Sequence, residues 1–282
     1  MKGRSLLVVV NLGLLLAGSA SGGHVGPKLV RVVKRSGSYT ATLTYTRHSR
    51  YEFSRVSLRI RRAGRVVLSR KICLLHPFSY GHSCQWGPVS GPPLLSVQRV
   101  GPNNTSAFVL NLWNGGNHCC TDTFIAVAGR KLAWLTREWS GADGWSGARI
   151  RRIRGRNLFV SGDGRFFCEY SSCAGAAVPI GIWKIDFADR FENVTRSYPR
   201  LIRQNAHELA TEGGPRMTLR KQGAGVLAAW CGDEYLLGDG PRCSQTLKFA
   251  LTHHRGSLVA GRVTRGLIRT LNRDLRRWGY KS

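Results

Sequence analysis

The residues with the clearest chemical potential are the run Asn114-Gly115-Gly116-Asn117-His118-Cys119-Cys120, which continues into Thr121 and Asp122. Imidazole beside two sulfurs is a donor set that suits zinc or copper. Three considerations oppose a metal. Neighbours on a chain rarely both face one tetrahedral ion, the sequence shows no second ligand cluster, and an oxidising compartment consumes thiols. The run therefore reads as structural sulfur, with a redox-active pair as the alternative, and no metal or cofactor is expected. Nucleophile motifs such as G-x-S-x-G, the H-E-x-x-H zinc pattern and phosphate-cradling P-loops are absent. His207 and Glu208 share a predicted helix without a second ligand at the right step, and His253-His254 reads as an incidental pair. Paired carboxylates for glycoside chemistry are defined by distance in space, so spacing does not reveal them. No catalytic residue is assigned.

The sulfur reading depends on export. Lys2 and Arg4 precede an apolar run from Leu6 to Ala17, and Gly18-Ser19-Ala20 supplies small residues for cleavage. A membrane span needs about 20 apolar residues, so residues 1–20 read as a secretory signal peptide. All eight cysteines follow it: Cys73, Cys84, Cys119, Cys120, Cys168, Cys173, Cys231 and Cys243. An even number in an exported chain implies disulfides. Proximity pairs Cys73 with Cys84, Cys168 with Cys173 and Cys231 with Cys243, each closing a local loop. Cys119 and Cys120 are left for a vicinal bridge or for partners elsewhere. No later stretch reaches membrane-spanning length.

Charge is the second strong signal. The chain carries 43 Lys and Arg against 15 Asp and Glu. Without Lys2 and Arg4, 41 cations face 15 acids, a net +26. Such an excess favours polyanions: nucleic acid, wall polymers or an anionic membrane surface. Arg outnumbers Lys by 34 to 9, which reflects either a GC-rich coding sequence or selection for anion binding. The candidate polyanion-binding residues are Arg59, Arg61, Arg151, Arg152, Arg154, Arg156, Arg269, Arg276 and Arg277.

The elements that must position these residues are mostly strands. Residues 21–30 are Gly-rich and read as a loose lead-in. Thr40 to Thr46 reads as a strand. Val56, Leu58 and Ile60 alternate with Ser57, Arg59 and Arg61; Ala63-Gly64 turns the chain, and Val66, Leu68 and Ile72 return. That pattern predicts a hairpin with one apolar and one cationic face. Gly87 to Pro93 marks a boundary. Ala107 to Trp113 reads as an inner strand, and Phe124 to Ala128 with Leu132 to Leu135 as another hairpin. Gly141 to Gly147 is a loop, and Leu158 to Val160, Val178 to Ile185 and Phe191 to Val194 continue the β pattern. From Ser197, a potential cap, helical spacing takes over: Leu201, Ile202, Ala206 and Leu209, then Val226 to Leu237 stopped by Gly238, then Leu267, Leu271, Leu275 and Trp278. The last of these is amphipathic, which suits either packing on the body or a basic helix on a membrane. The expected organisation is signal peptide 1–20, β-hairpin region 21–93, a second β region 94–196 and a helical region 197–282. The fold class is mainly β with a smaller helical C-terminal region.

Leu112 to Cys120 resembles the "LYTGGAHCC" segment of secreted, uncharacterised bacterial proteins carrying repeats similar to FG-GAP or VCBS repeats. Val178-Pro179-Ile180-Gly181-Ile182-Trp183-Lys184 and Phe191 to Pro199 resemble that family's "FPIQIWR…FVDVTRRFP" stretch, and Tyr235-Leu236-Leu237-Gly238 matches a habit of its tail. The likeness spans Leu94 to Gly238. It implies β units like propeller blades, too few to close a propeller. The family's acidic loops look suited to calcium. Here Arg99, Gly101, Asn103 and Asn104 stand at the first loop and Arg151 to Arg156 at the second, so calcium binding is not carried over. Asp143 and Asp163 read as isolated turn-forming acids.

These readings give an exported, non-enzymatic protein that binds anionic envelope polymers or other polyanions through Arg-rich faces. One alternative is a secreted hydrolase whose site, with Glu138, Asp143 or His118, assembles only in the fold. Another is a scaffold with exposed Trp139 and Trp145 as partner anchors.

Overall fold

Apolar residues alternating with polar ones in some strands, and continuous apolar runs in others, build three sheets. The computed structural model describes residues 26–48, 53–72, 94–113, 121–129, 131–139, 148–211, 222–253 and 261–281. Within them lie three four-stranded antiparallel sheets, each made of strands consecutive in sequence. The first contains β1 (Lys28–Ser36), β2 (Tyr39–Arg47), β3 (Phe53–Arg62) and β4 (Arg65–Lys71). The second contains β5 (Leu94–Gln98), β6 (Ala107–Trp113), β7 (Thr121–Ala128) and β8 (Leu132–Trp139). The third contains β9 (Arg149–Ile153), β10 (Arg156–Gly162), β11 (Ile180–Ile185) and β12 (Phe191–Asn193). Helices α1 (Pro199–Ala210), α2 (Ala224–Leu237), α3 (Gly240–His253) and α4 (Arg265–Arg277) follow. The fold is mainly β with a helical C-terminal part, as the patterning predicts.

The sheets stack face to face, and the middle one is apolar on both sides. On β6 and β7, Phe108, Leu110, Leu112, Phe124 and Ala126 pack against the first sheet's Tyr39, Ala41, Leu43, Leu58 and Ile60. The alternate residues Ala107, Val109, Ile125 and Val127 pack toward Phe159, Trp183 and Ile185 of the third sheet. Register makes this possible: Phe108 pairs with Ala126 and Val109 with Ile125, so each face stays uniform across strands. Each large apolar side chain so buried contributes about 1.5–3 kcal/mol. The third sheet turns Leu158, Ile180 and Ile182 to Ile202 of α1. Behind them a helical core gathers Leu227, Trp230, Leu247, Leu271 and Leu275 with Phe166 and Tyr170.

Two glycines are fixed by geometry. Gly238 caps α2 at φ 85°, a left-handed conformation that any side chain strains. A Cβ on Gly181 would stand 1.9 Å from the Trp183 ring, which lies across it.

Several expectations need correction. The lead-in of residues 21–30 is cut short, because β1 begins at Lys28. Its inward Val30 and Val32 are half-buried, and exposed Leu29 and Val33 on the other face mask the period of two. The segment Arg151 to Arg156 is not a loop: β9, a turn at Arg154 (φ 49°) and Gly155 (φ 78°), and β10 form a hairpin. Ser197 does not cap α1; it ends a short 3-10 turn, and Tyr198 holds the cap position ahead of Pro199. The helix α3 went unread, because its Gly-Pro-Arg start dilutes the apolar spacing.

Two disulfides lie in the described residues. Cys168–Cys173 closes a loop after β10. Cys231–Cys243 joins α2 to α3, and both bonds are the local pairings expected from proximity. Cys73, Cys84, Cys119 and Cys120 lie outside the described residues, as do residues 1–20, Asn114 to His118 and the loop 141–147.

Candidate polyanion interface

The first sheet buries one face and leaves the other outward. Along β2, Tyr39, Ala41, Leu43 and Tyr45 are buried, whereas Thr40, Thr42 and Thr44 are half-buried on the opposite face. Cross-strand register extends that outward face into rows. Arg35 pairs with Thr40 and Thr40 with Arg61. Val33 pairs with Thr42, Thr42 with Arg59 and Arg59 with Ser69. Arg31 pairs with Thr44, Thr44 with Ser57 and Ser57 with Lys71. Thr44 Oγ1 and Ser57 Oγ lie 2.6 Å apart in one hydrogen bond. The surface is thus a floor of hydroxyls flanked by Arg31, Arg35, Arg59, Arg61 and Lys71. Residues 26–48 and 53–72 contain twelve Lys and Arg and no Asp or Glu. Among the described residues, the strands of this sheet therefore bring no carboxylate to its cations.

The other candidate arginines are placed differently. On β9, exposed Arg149 and Arg151 alternate with Ile150, and exposed Arg152 faces the other way opposite Asn157. The hairpin's cations are therefore split between two faces at the edge of the sheet. Arg154 is engaged, with its guanidinium 5.4 Å from the Tyr198 ring centre and Nη1 donating to the Ser197 carbonyl at 3.5 Å. On α4, Arg269 and Arg276 are exposed. Arg277 pairs with Asp274 at 3.4 Å and Arg273 pairs with the same carboxylate at 3.2 Å. The apolar stripe of α4, with Leu267, Leu271, Leu275 and Trp278, packs into the helical core. It is consumed by the fold, which removes the expectation of a basic helix lying on a membrane.

Five of the fifteen acids are structural. Asp122, Asp163, Asp233, Glu234 and Asp274 are all buried, so the exposed surface is more basic than the net charge implies. Asp163 is not the isolated acid expected. It accepts from Arg165 Nε at 2.9 Å and from the Tyr280 hydroxyl at 2.8 Å. Burial alone would raise its pKa, but Arg165 and Tyr280 hold the carboxyl below its ordinary value. Asp233 accepts from the Ile180 amide at 3.1 Å and Asn205 Nδ2 at 2.7 Å, tying β11, α1 and α2 together. Burial pushes its pKa well up. Asp274 accepts from the buried Tyr170 hydroxyl at 3.2 Å; burial and then that carboxylate raise the tyrosine's pKa.

Trp139 is 2 % exposed, so it is no partner anchor. Its ring meets Phe159, Trp183 and Phe191 at 5.0–5.8 Å, and its Nε1 donates to Thr123 Oγ1 at 2.8 Å. Arg137 lies over the same cluster, 4.7 Å from Trp139 and 4.4 Å from Trp183. Trp145, His118 and Asp143 are outside the described residues. Glu138 sits half-buried on β8.

Two clefts remain. One of about 290 Å³ is lined by Asp163, Arg165, Thr195, Arg196, Trp278 and Tyr280. The other, about 440 Å³, is lined by Arg203, His207, Trp230, Glu234, Asp239 and Arg242. Asp163 is engaged as above, and Glu234 Oε1 accepts from Arg242 Nη1 at 3.1 Å while its Oε2 is buried without a hydrogen-bond partner. Among the described residues no group of three or more His, Cys, Asp or Glu is placed to hold a metal ion.

With that geometry in hand, no family model and no solved structure matches the chain. A probable thylakoid lumen protein of Synechocystis sp. is similar, with 24% identity over 148 residues, which is 51% of this chain and 44% of that protein. The chain thus spans less than half the length of the curated relative it matches. Among the described residues no helix is long and apolar enough to cross a membrane.

Sequence reasoning found Arg59 and Arg61 and missed Arg31, Arg35 and Lys71. The missing signal was β1 itself, since pairing of β1 with β2 is what brings Arg31 and Arg35 onto the same face.

Proposed function

We propose that this chain is an exported, non-enzymatic protein that docks on polyanionic envelope material through the outward face of its first sheet. The observation that carries this reading is the acid-free cationic face, since surface arginines usually sit among carboxylates that neutralise them. Export is supported by the signal-like residues 1–20, by the two disulfides and by the lumenal name of the similar Synechocystis protein. The stacked four-stranded meanders support the reading of blade-like units that the FG-GAP resemblance implies.

The test is sedimentation of the purified chain with cell-envelope preparations across a salt series. Retention at low salt that falls steeply as salt rises is expected, because released counterions drive such binding. No retention at about 20 mM salt would remove the proposal. Secretion is checked separately by N-terminal sequencing of the extracytoplasmic product.

A further inference from the structure

We infer that the ligand of the outward face is a flexible polymer of phosphate groups without aromatic bases; this rests on the polyanion reading above. The face supplies donors in a pattern. In the row Arg35, Thr40, Arg61, two guanidinium forks flank one hydroxyl, and the two arginine positions stand two strand spacings apart, about 10 Å. A planar carboxylate presents both of its oxygens in one plane to a single fork. A tetrahedral phosphate with unesterified oxygens accepts from a fork and from a hydroxyl beneath it at once, which is how serine and threonine join arginine on phosphate backbones.

The spacing adds a second constraint. Arg59 and Arg61 lie on the same face of β3, about 7 Å apart along the strand. Arg31 and Lys71 flank the third row three strand spacings apart, about 14 Å. The cations are therefore staggered over a broad surface instead of lying on one line. A flexible chain can follow such a pattern, whereas the phosphates of a rigid duplex curve away from a sheet.

The third constraint is what the face lacks. The sheet's aromatics Tyr39, Tyr45 and Phe53 are all buried in the core. The exposed apolar residues of the outward face are Leu29, Val33 and Val66, which are aliphatic. Proteins that hold single-stranded nucleic acid stack bases on aromatic rings, worth about 1–3 kcal/mol per base. This face offers bases no aromatic ring to stack on. It takes the charge and leaves the rest of the polymer unread.

The experiment compares three probes on the purified chain at about 20 mM salt, matched in charge: inorganic polyphosphate, an oligothymidylate and a polyuronate. Polyphosphate is expected to bind about tenfold tighter than either of the others. The double variant R35S/R61S should lose about tenfold in polyphosphate affinity and flatten its salt slope by about two, with an unchanged melting temperature. Equal or tighter binding of the oligothymidylate or the polyuronate overturns the phosphate assignment and leaves the broader reading intact. A polyphosphate preference that survives in the double variant overturns the face. Binding of no probe overturns this inference and the proposed function together.

Discussion

Arginine does opposite work at the two ends of this chain. In the helical layer its side chains are fasteners. Arg196 donates to the carbonyls of Leu236, Gly279 and Tyr280, Arg165 clamps Asp163, Arg242 holds Glu234, and Arg273 and Arg277 converge on Asp274. Buried carboxylates need such partners, because an unpaired charge in a low dielectric is costly. In the first sheet Arg31, Arg35, Arg59 and Arg61 stand on a surface whose strands contain no acid. There the described strands bring no carboxylate to the cations, and like charges on neighbouring strands repel slightly. A count of arginines hides this difference. Only the positions of the acids reveal it.

The sharpest way to break the contrast is in the helical layer. Asp274→Ala leaves the buried Tyr170 hydroxyl without its acceptor and two arginines without their anion, and should cost about 3 kcal/mol by denaturant titration. A loss below about 0.5 kcal/mol would show these contacts to be ornamental, like typical exposed ion pairs. The double variant C231S/C243S, which opens a loop with a sequence separation of 12 between α2 and α3, should also lose about 3 kcal/mol, lowering the melting temperature by several degrees.

A smaller effect has a definite sign. Because burial raises the pKa of Asp233, the folded state keeps the proton that the unfolded state gives up near pH 4. Its contribution is therefore complete below pH 4 and fades as pH rises from there toward neutrality. The stability of the chain relative to Asp233→Asn should fall over that window, by up to about 1.4 kcal/mol per pH unit. A difference that stays flat between pH 4 and 7 would contradict the burial. The smallest effect belongs to the first sheet, where the R59S/R61S variant should change stability by less than about 0.5 kcal/mol. Its retention on envelope material should nevertheless drop and lose salt dependence. If stability collapsed instead, the two regions would not differ in kind.

The sequence made the strands of the middle sheet plain and the rest less so. Ala107 to Leu110 and Phe124 to Ala128 are short continuous apolar runs bounded by turn signals, which a local window reads as buried strands. The strand β1 hid because apolar residues occupy both of its faces. Trp139 reads as exposed beside charged Arg137 and Glu138, yet its neighbours Phe159, Trp183 and Phe191 come from another sheet. The buried acids were the least legible. Beside their local arginines, Asp163 is held by Tyr280, 117 residues away, and Asp274 by Tyr170, 104 away, and no window of sequence sees such distances.

That long reach orders assembly in time. The three sheets join strands that follow one another directly, so each can close soon after it is made, as proteins rich in local contacts do. The tie between Asp163 and Tyr280 has to wait for nearly half of the polypeptide to arrive behind it. Until then Asp163, at the end of the third sheet, lacks the tyrosine hydroxyl, and Phe166 lacks the rings of Trp278 and Tyr280. A chain emerging N-terminus first thus presents a finished cationic sheet while its helical part is still open, and cutting it before α4 would yield a sticky incomplete product that proteases find first.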